Sequence, residues 1–186
     1  LETLLESDRR NREGYFSRYF KGSGIDIGCG TDKVTPDCRA WDQMFGHGDA
    51  TLLAGVEDAS FDWVYSSHCL EHLTDAHTAL TNWWRVLKNG GHLIVCVPHR
   101  DLYERKDHLP SLYNGDHKHF WLPIYGEPPC TFGLVEVFRN AVKGPYQLIS
   151  LRELSSGPAL APMDAHPIGP YSIEMIVRKG PRPRSL

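Results

Sequence analysis

Apolar and polar positions change rhythm several times along the chain, and each rhythm predicts an element. The first twenty residues set Leu1, Leu4, Leu5, Tyr15, Phe16, Tyr19 and Phe20 among charged groups, the pattern of an amphipathic helix broken at Gly14. Ile25 and Ile27 mark a buried first strand over 24–27. Only residues 31–41, with Pro36 among them, separate Gly30 from Asp42. That is too short for a crossover through a normal helix, so a turn or two of helix and a short second strand at 39–41 are expected. Residues 48–56 read as a short third strand or a turn, and 61–67 as a β-rich central strand. Beyond it Leu73, Ala76, Leu80, Trp83, Trp84 and Leu87 recur at helical spacing, with Asn89-Gly90-Gly91 as a left-handed stop. A continuous apolar strand over 92–97 closes at Pro98. Residues 99–130 then mix four prolines with aromatics and with His99, His108, His117 and His119. A connection that long inside a compact domain predicts a lid on the substrate side. A helix over 134–142 and strands over 146–151 and 171–177 follow, with a Pro/Gly/Ala-rich loop between the strands and a disordered basic tail at 180–186.

Composition narrows the class. The 186 residues suit a single domain over 1–186, and 41% apolar with 23% charged residues is ordinary for a globular chain. A net charge of −3 with no Lys/Arg run before the tail argues against nucleic acid as a partner. No apolar run reaches membrane-spanning length and no leader pattern opens the chain. Five cysteines without a CxxC pair predict reduced thiols and a cytoplasmic location.

Candidate chemistry gathers first at Gly24-Ile25-Asp26-Ile27-Gly28-Cys29-Gly30. A strand that ends in a glycine turn is the usual shape of a nucleotide-type site in an open α/β sheet. Asp42, after the second strand, is placed to accept both hydroxyls of a ribose, or else is an ordinary turn residue. In Gly48-Asp49-Ala50, Asp49 could take the exocyclic amine of a base.

In sequence order these segments resemble a class I S-adenosylmethionine-dependent methyltransferase. The glycine turn resembles the family's first motif. Asp42 falls at the ribose acid and Gly48-Asp49-Ala50 at the adenine contact. The run from Phe61 to Leu73 resembles the fourth-strand motif, and Arg85 through Asn89-Gly90-Gly91 to Pro98 the fifth. The resemblance implies an α/β fold: a Rossmann-like seven-stranded, mostly parallel sheet with an antiparallel last strand and helices on both faces. It implies S-adenosyl-L-methionine as cofactor, held by Asp26, Gly28, Cys29, Gly30, Lys33, Asp42, Asp49, Ala50, Ser67 and His68. The compressed Gly-Cys-Gly-x-x-Lys form, with Lys33 where a helix would already run, resembles a subgroup met beside glycosyltransferases in polysaccharide and natural-product pathways.

The expected reaction is methyl transfer to an oxygen or nitrogen of a small molecule, sugar, peptide or secondary metabolite, with neither nucleic acid nor membrane as partner. A base is expected among His117 and His119 first, then His68 and His99. Asp116 could orient an imidazole and Phe120-Trp121 could exclude water, although Asp116-His117-Lys118-His119 also reads as an exposed polar turn. Glu71 and His72 are expected to cap and pack the next helix. Three other readings stand beside this one. A nicotinamide-dependent oxidoreductase would need a third glycine where Lys33 stands. A non-catalytic cofactor-binding regulatory partner would bind without turnover. A metal enzyme could use Asp116, His117 and His119. The preferred reading carries no metal.

Overall fold

The computed structural model describes residues 6–155 and 171–180. Two short helices, α1 (Ser7–Arg12) and α2 (Tyr15–Tyr19), meet at Gly14, whose φ of 63° makes the break that the sequence predicts. Strands β1 (Gly24–Ile27), β2 (Arg39–Trp41) and β3 (Phe61–Ser67) follow at the expected positions. Helix α3 (Ala76–Val86) leads directly into β4 (Leu87–Pro98). Strands β5 (Phe120–Leu122) and β6 (Thr131–Gly133), helix α4 (Leu134–Ala141), and strands β7 (Tyr146–Ser155) and β8 (Tyr171–Lys179) complete the chain.

The main sheet runs β2-β1-β3-β4-β8-β7. The β1–β2, β1–β3 and β3–β4 pairs are parallel, while β8 is antiparallel to both β4 and β7. This is the expected Rossmann-like sheet with an antiparallel last strand. It has six strands among the described residues rather than seven, because residues 48–56 form turns. The reason lies in α3. Trp83 donates its indole N–H to the Ala50 carbonyl at 2.8 Å, Asn82 reaches Thr51 at 3.0 Å, and Arg85 reaches Val56 at 2.7 Å. These carbonyls are satisfied by side chains, so the segment needs no strand ladder.

Two further boundaries differ from expectation. Asn89-Gly90-Gly91 lies inside β4 rather than ending the helix. Phe61 pairs with Leu87 and Trp63 with His92, so residues 88–91 form a bulge, with Gly90 at φ 86°. Residues 99–130 are less irregular than expected. They hold a π-helical turn, Arg100–Glu104, and β5, which pairs in parallel with β6 and meets the end of β4 through a His99–Trp121 bridge. The expected loop at 156–170 and the tail at 181–186 lie outside the described residues.

Strand alternation gives the sheet two different faces. Ile25, Ile27, Val64, Leu93, Val95, Ile173, Met175 and Val177 form the apolar face against α3 and α4. The opposite face packs Trp63, Tyr65, Ile94 and Ile176 beneath Tyr15 and Tyr19, so the aromatics of α1 and α2 pack on the sheet. Asp26, Cys96 and Glu174, all buried, interrupt this second face. Arg10, 1% exposed, lies above them between the rings of Tyr15 (5.4 Å) and Tyr65 (5.3 Å), with Glu174 at 3.7 Å. Glu174 also accepts from Arg9 at 2.9 Å and from the Tyr15 hydroxyl at 3.0 Å.

Removing the carboxylate would leave the Arg10 guanidinium buried without its counter-charge. Glu174→Ala should therefore cost roughly 3–5 kcal/mol of stability, the usual effect of breaking a buried pair from one side. Urea unfolding followed by circular dichroism measures it, and a loss below about 1 kcal/mol would show that the pair does not hold α1 to the sheet.

Candidate active site

The sheet order reverses direction at β1, with β2 on one side and β3 on the other, so a crevice opens beyond their carboxyl ends. Gly28 stands at its floor. Its φ is 74°, and a Cβ there would fall 2.5 Å from the Cβ of Cys69. Only glycine fits this contact, which brings the end of β3 against the end of β1. The Gly28 N–H bonds the Trp41 carbonyl at 2.8 Å, and the Ser66 hydroxyl bonds the Ile27 carbonyl at 2.9 Å. Gly30, at φ 53°, meets nothing within 4 Å of a Cβ position, so its outer side is open.

Asp42 locks this turn. Its carboxylate accepts the Gly30 N–H at 2.9 Å through one oxygen and the Met44 N–H at 2.9 Å through the other, capping the short 3₁₀ turn Gln43–Phe45. Each oxygen keeps a further lone pair. Asp49 is exposed; its side chain accepts the Thr51 N–H at 2.6 Å, and its carbonyl takes the Trp41 indole at 3.3 Å. Ala50 is buried and bonded to Trp83. Lys33 donates to the carbonyls of Pro36 and Cys38, so its ammonium fastens the loop between β1 and β2. Cys29 is half-buried beside Gly30. No helix follows the glycine turn between β1 and β2, so no helix N-terminus faces the position where a dinucleotide's pyrophosphate would lie.

The four candidate histidines separate. Both ring nitrogens of His99 are occupied, by the Asp101 N–H at 3.0 Å and by Glu153 at 3.1 Å. His119 donates to the Thr74 carbonyl at 3.1 Å and lies on the Phe132 ring at 4.4 Å. His68 and His117 instead lie near enough to each other, at the end of β3, for their imidazoles to interact electrostatically. His68, beside half-buried Ser67, adopts a left-handed φ of 53°. Its N–H continues the ladder to Cys96 at 3.0 Å, and its Nε2 contacts the Ser172 hydroxyl at 3.0 Å. Burial, with the His117 and His72 imidazoles nearby, pushes the His68 pKa well below its ordinary value.

The sequence reading missed what surrounds these two. Glu71 and His72 do not cap α3; Asp75 does, accepting the Thr78 N–H at 2.9 Å. Glu71 and His72 occupy a 3₁₀ turn, Leu70–His72, that faces the 99–130 segment. His72 Nδ1 lies 3.2 Å from Asp116, and the His72 and His117 rings meet edge to face at 4.8 Å. His117 Nδ1 is bonded to Glu104, whose other oxygen accepts the Ser111 hydroxyl at 2.5 Å. Asp116 thus orients an imidazole, as expected, but that of His72. The sequence offered only two adjacent pairs, Glu71-His72 and Asp116-His117, with nothing to join them.

Residues 38–95 match the sequence model of a family described as a methyltransferase domain. No curated protein matches the chain significantly. Among solved structures it is similar to an S-adenosylmethionine-dependent methyltransferase from Archaeoglobus fulgidus, at 15% identity and TM-score 0.56, over 95% of this chain and 94% of that one. It is similar also to the Burkholderia thailandensis 1,6-didemethyltoxoflavin-N1-methyltransferase with bound S-adenosylhomocysteine, at 16% identity and TM-score 0.54, over 96% and 79%. A third is the [4+2]-cyclase SpnF, at 16% identity and TM-score 0.57, over 91% and 80%. Similarity at these identities speaks to the fold.

Asp26 couples this site to stability. It is 2% exposed and accepts the Val34 N–H at 2.7 Å. Burial pushes its pKa up to about 7, against the pull of that N–H and of Arg10 and Lys33. The folded state therefore keeps a proton that the unfolded chain releases. That stabilising share is full below pH 4 or so and is lost as pH rises through 7. Asp26→Asn keeps an acceptor for Val34 and has no carboxyl to ionise. Its stability relative to wild type should rise between pH 4 and 7, by on the order of a few kcal/mol, and level off above. Paired thermal melts across that range check this, and a flat difference would contradict it.

Proposed function

We propose that this protein is a class I S-adenosylmethionine-dependent methyltransferase that passes the methyl group to an oxygen or nitrogen of a small-molecule acceptor such as a sugar, peptide or natural product. The observation that carries the reading is the crevice at the β1 switch point, with an open glycine turn that Asp42 locks in place. The bound cofactor supplies an activated sulfonium methyl. The chain's own contribution is to hold donor and acceptor in line and to exclude water.

In this reading the backbone of Gly28, Cys29 and Gly30 receives the amino-acid end, with Asp26 near its ammonium. The free lone pairs of Asp42 take the ribose hydroxyls. Asp49 and Ala50 line the adenine side, and Ser67 with His68 stands nearest the methyl. Lys33 acts at one remove, by shaping the loop. The 99–130 segment, as part of one domain over 1–186, covers the acceptor side. Where the acceptor carries a proton, we assign its removal to His68. This imidazole stands at the end of β3 with only the Ser172 hydroxyl on its Nε2, whereas His99 and His119 are bonded to Glu153 and to the Thr74 carbonyl.

Asp42→Ala should weaken S-adenosylmethionine binding ten- to a hundredfold, since one or two charge-assisted hydrogen bonds contribute roughly 1.5–3 kcal/mol each. Calorimetry on the folded variant measures it, and an unchanged affinity would overturn the ribose assignment. His68→Ala should lower the single-turnover rate of methyl transfer at saturating cofactor by roughly 10²–10⁴, and a wild-type rate would remove His68 as the base.

A further inference from the structure

Glu71, His72 and His117 each place one donor atom within 4.8 Å of the others. We propose that they bind a divalent transition-metal ion, of the zinc type, at the end of β3 beside the cofactor crevice.

Three features of the molecule support this. First, Glu71 is fully buried, and neither of its carboxylate oxygens has a hydrogen-bond partner among the described residues. An unsatisfied carboxylate in that position is costly unless something positive meets it. The nearest groups are His68 Nδ1 at 3.6 Å and His72 Nε2 at 3.8 Å, both beyond hydrogen-bond distance. Second, each histidine has its Nδ1 engaged by a carboxylate, His72 by Asp116 and His117 by Glu104. A carboxylate on Nδ1 fixes the ring and leaves Nε2 as the ligating nitrogen, the usual outer arrangement of a metal-binding imidazole. Third, the donor set suits the ion. Two imidazoles and one carboxylate favour a first-row transition metal over magnesium, which prefers oxygen ligands and retains its waters.

Donors around a tetrahedral ion stand about 3.4 Å apart for bonds of about 2.1 Å, so small side-chain rotations would close the triad. Three protein ligands leave a coordination position open. The position is adjacent to the crevice because Cys69, two residues before Glu71, packs on Gly28. The site uses Glu71 and His72, which the methyl-transfer reading leaves without a role, and metal binding can be measured without any acceptor.

The test uses the full chain, freed of metal with chelator and then titrated with Zn²⁺, with Co²⁺ for its visible absorption, and with Mg²⁺. One Zn²⁺ per chain is expected, with Co²⁺ giving the spectrum of a low-coordinate nitrogen/oxygen site and Mg²⁺ binding far more weakly. Glu71→Gln and His72→Ala should each lower Zn²⁺ affinity at least tenfold, while His92→Ala, at the opposite end of β4, leaves it unchanged. Circular dichroism confirms folding, and partly exposed His72 provides a readout if Glu71→Gln does not fold. Absence of stoichiometric Zn²⁺ binding, wild-type affinity in both variants, or a preference for Mg²⁺ would overturn the proposal. S-adenosylmethionine calorimetry on the metal-free chain is scored separately, so failure of the metal site and failure of the methyltransferase reading give different results.

Discussion

The contact between Cys69 and Gly28 is the constraint on which the rest of the site depends. No side chain heavier than hydrogen fits at Gly28, because Cys69 already occupies that space. The ends of β1 and β3 are thereby closed on each other where the sheet reverses direction. On one side of the contact the chain turns through Gly30 and is pinned by Asp42. On the other it turns through His68 in a left-handed conformation and presents Glu71 and His72 to the 99–130 segment. Strain at His68 is tolerated because the neighbouring backbone is fixed from both sides, by the ladder to Cys96 and by the packing on Gly28. Cofactor crevice and histidine cluster thus share one wall, built from residues 68–72.

The two faces of the sheet serve different ends. The face under α3 and α4 is almost wholly apolar and provides most of the core. The face under α1 and α2 carries charge: Asp26 near the crevice, Glu174 farther across, and Arg10 above both. Arg10 gains from two tyrosine rings as well as from Glu174, which suits a guanidinium better than an ammonium. Its field also reaches Asp26, one of the forces that oppose the rise in that carboxyl's pKa. The N-terminal helices therefore tune the site as well as cover the sheet.

Much of the fold was legible because its signals are local. The apolar run at 24–27, the β-rich run at 61–67 and the Gly14 break needed no knowledge of distant contacts. Which of a strand or a turn forms at 48–56 was not legible, because what replaces a ladder there is a set of side chains on α3, some thirty residues on. Gly90 misled for a different reason. Left-handed backbone serves a helix stop and a strand bulge equally, and the pairing of Leu87 with Phe61 decides between them. At the candidate site, the closeness of Asp42 to the glycine turn was readable from spacing. The cluster of Glu71, His72, Glu104, Asp116 and His117 was not, because its halves are joined only by the packing of one turn on another. Histidine spacing put His117 and His119 together in sequence, yet the backbone sends one ring to Glu104 and the other to Thr74.

A crystal structure with S-adenosylhomocysteine tests the central claim most directly. The account predicts the ligand beyond the carboxyl ends of β1 and β3, its amino-acid end over Gly28–Gly30 and its ribose hydroxyls within hydrogen-bond distance of Asp42. A ligand bound elsewhere, or a ribose turned away from Asp42, would contradict it.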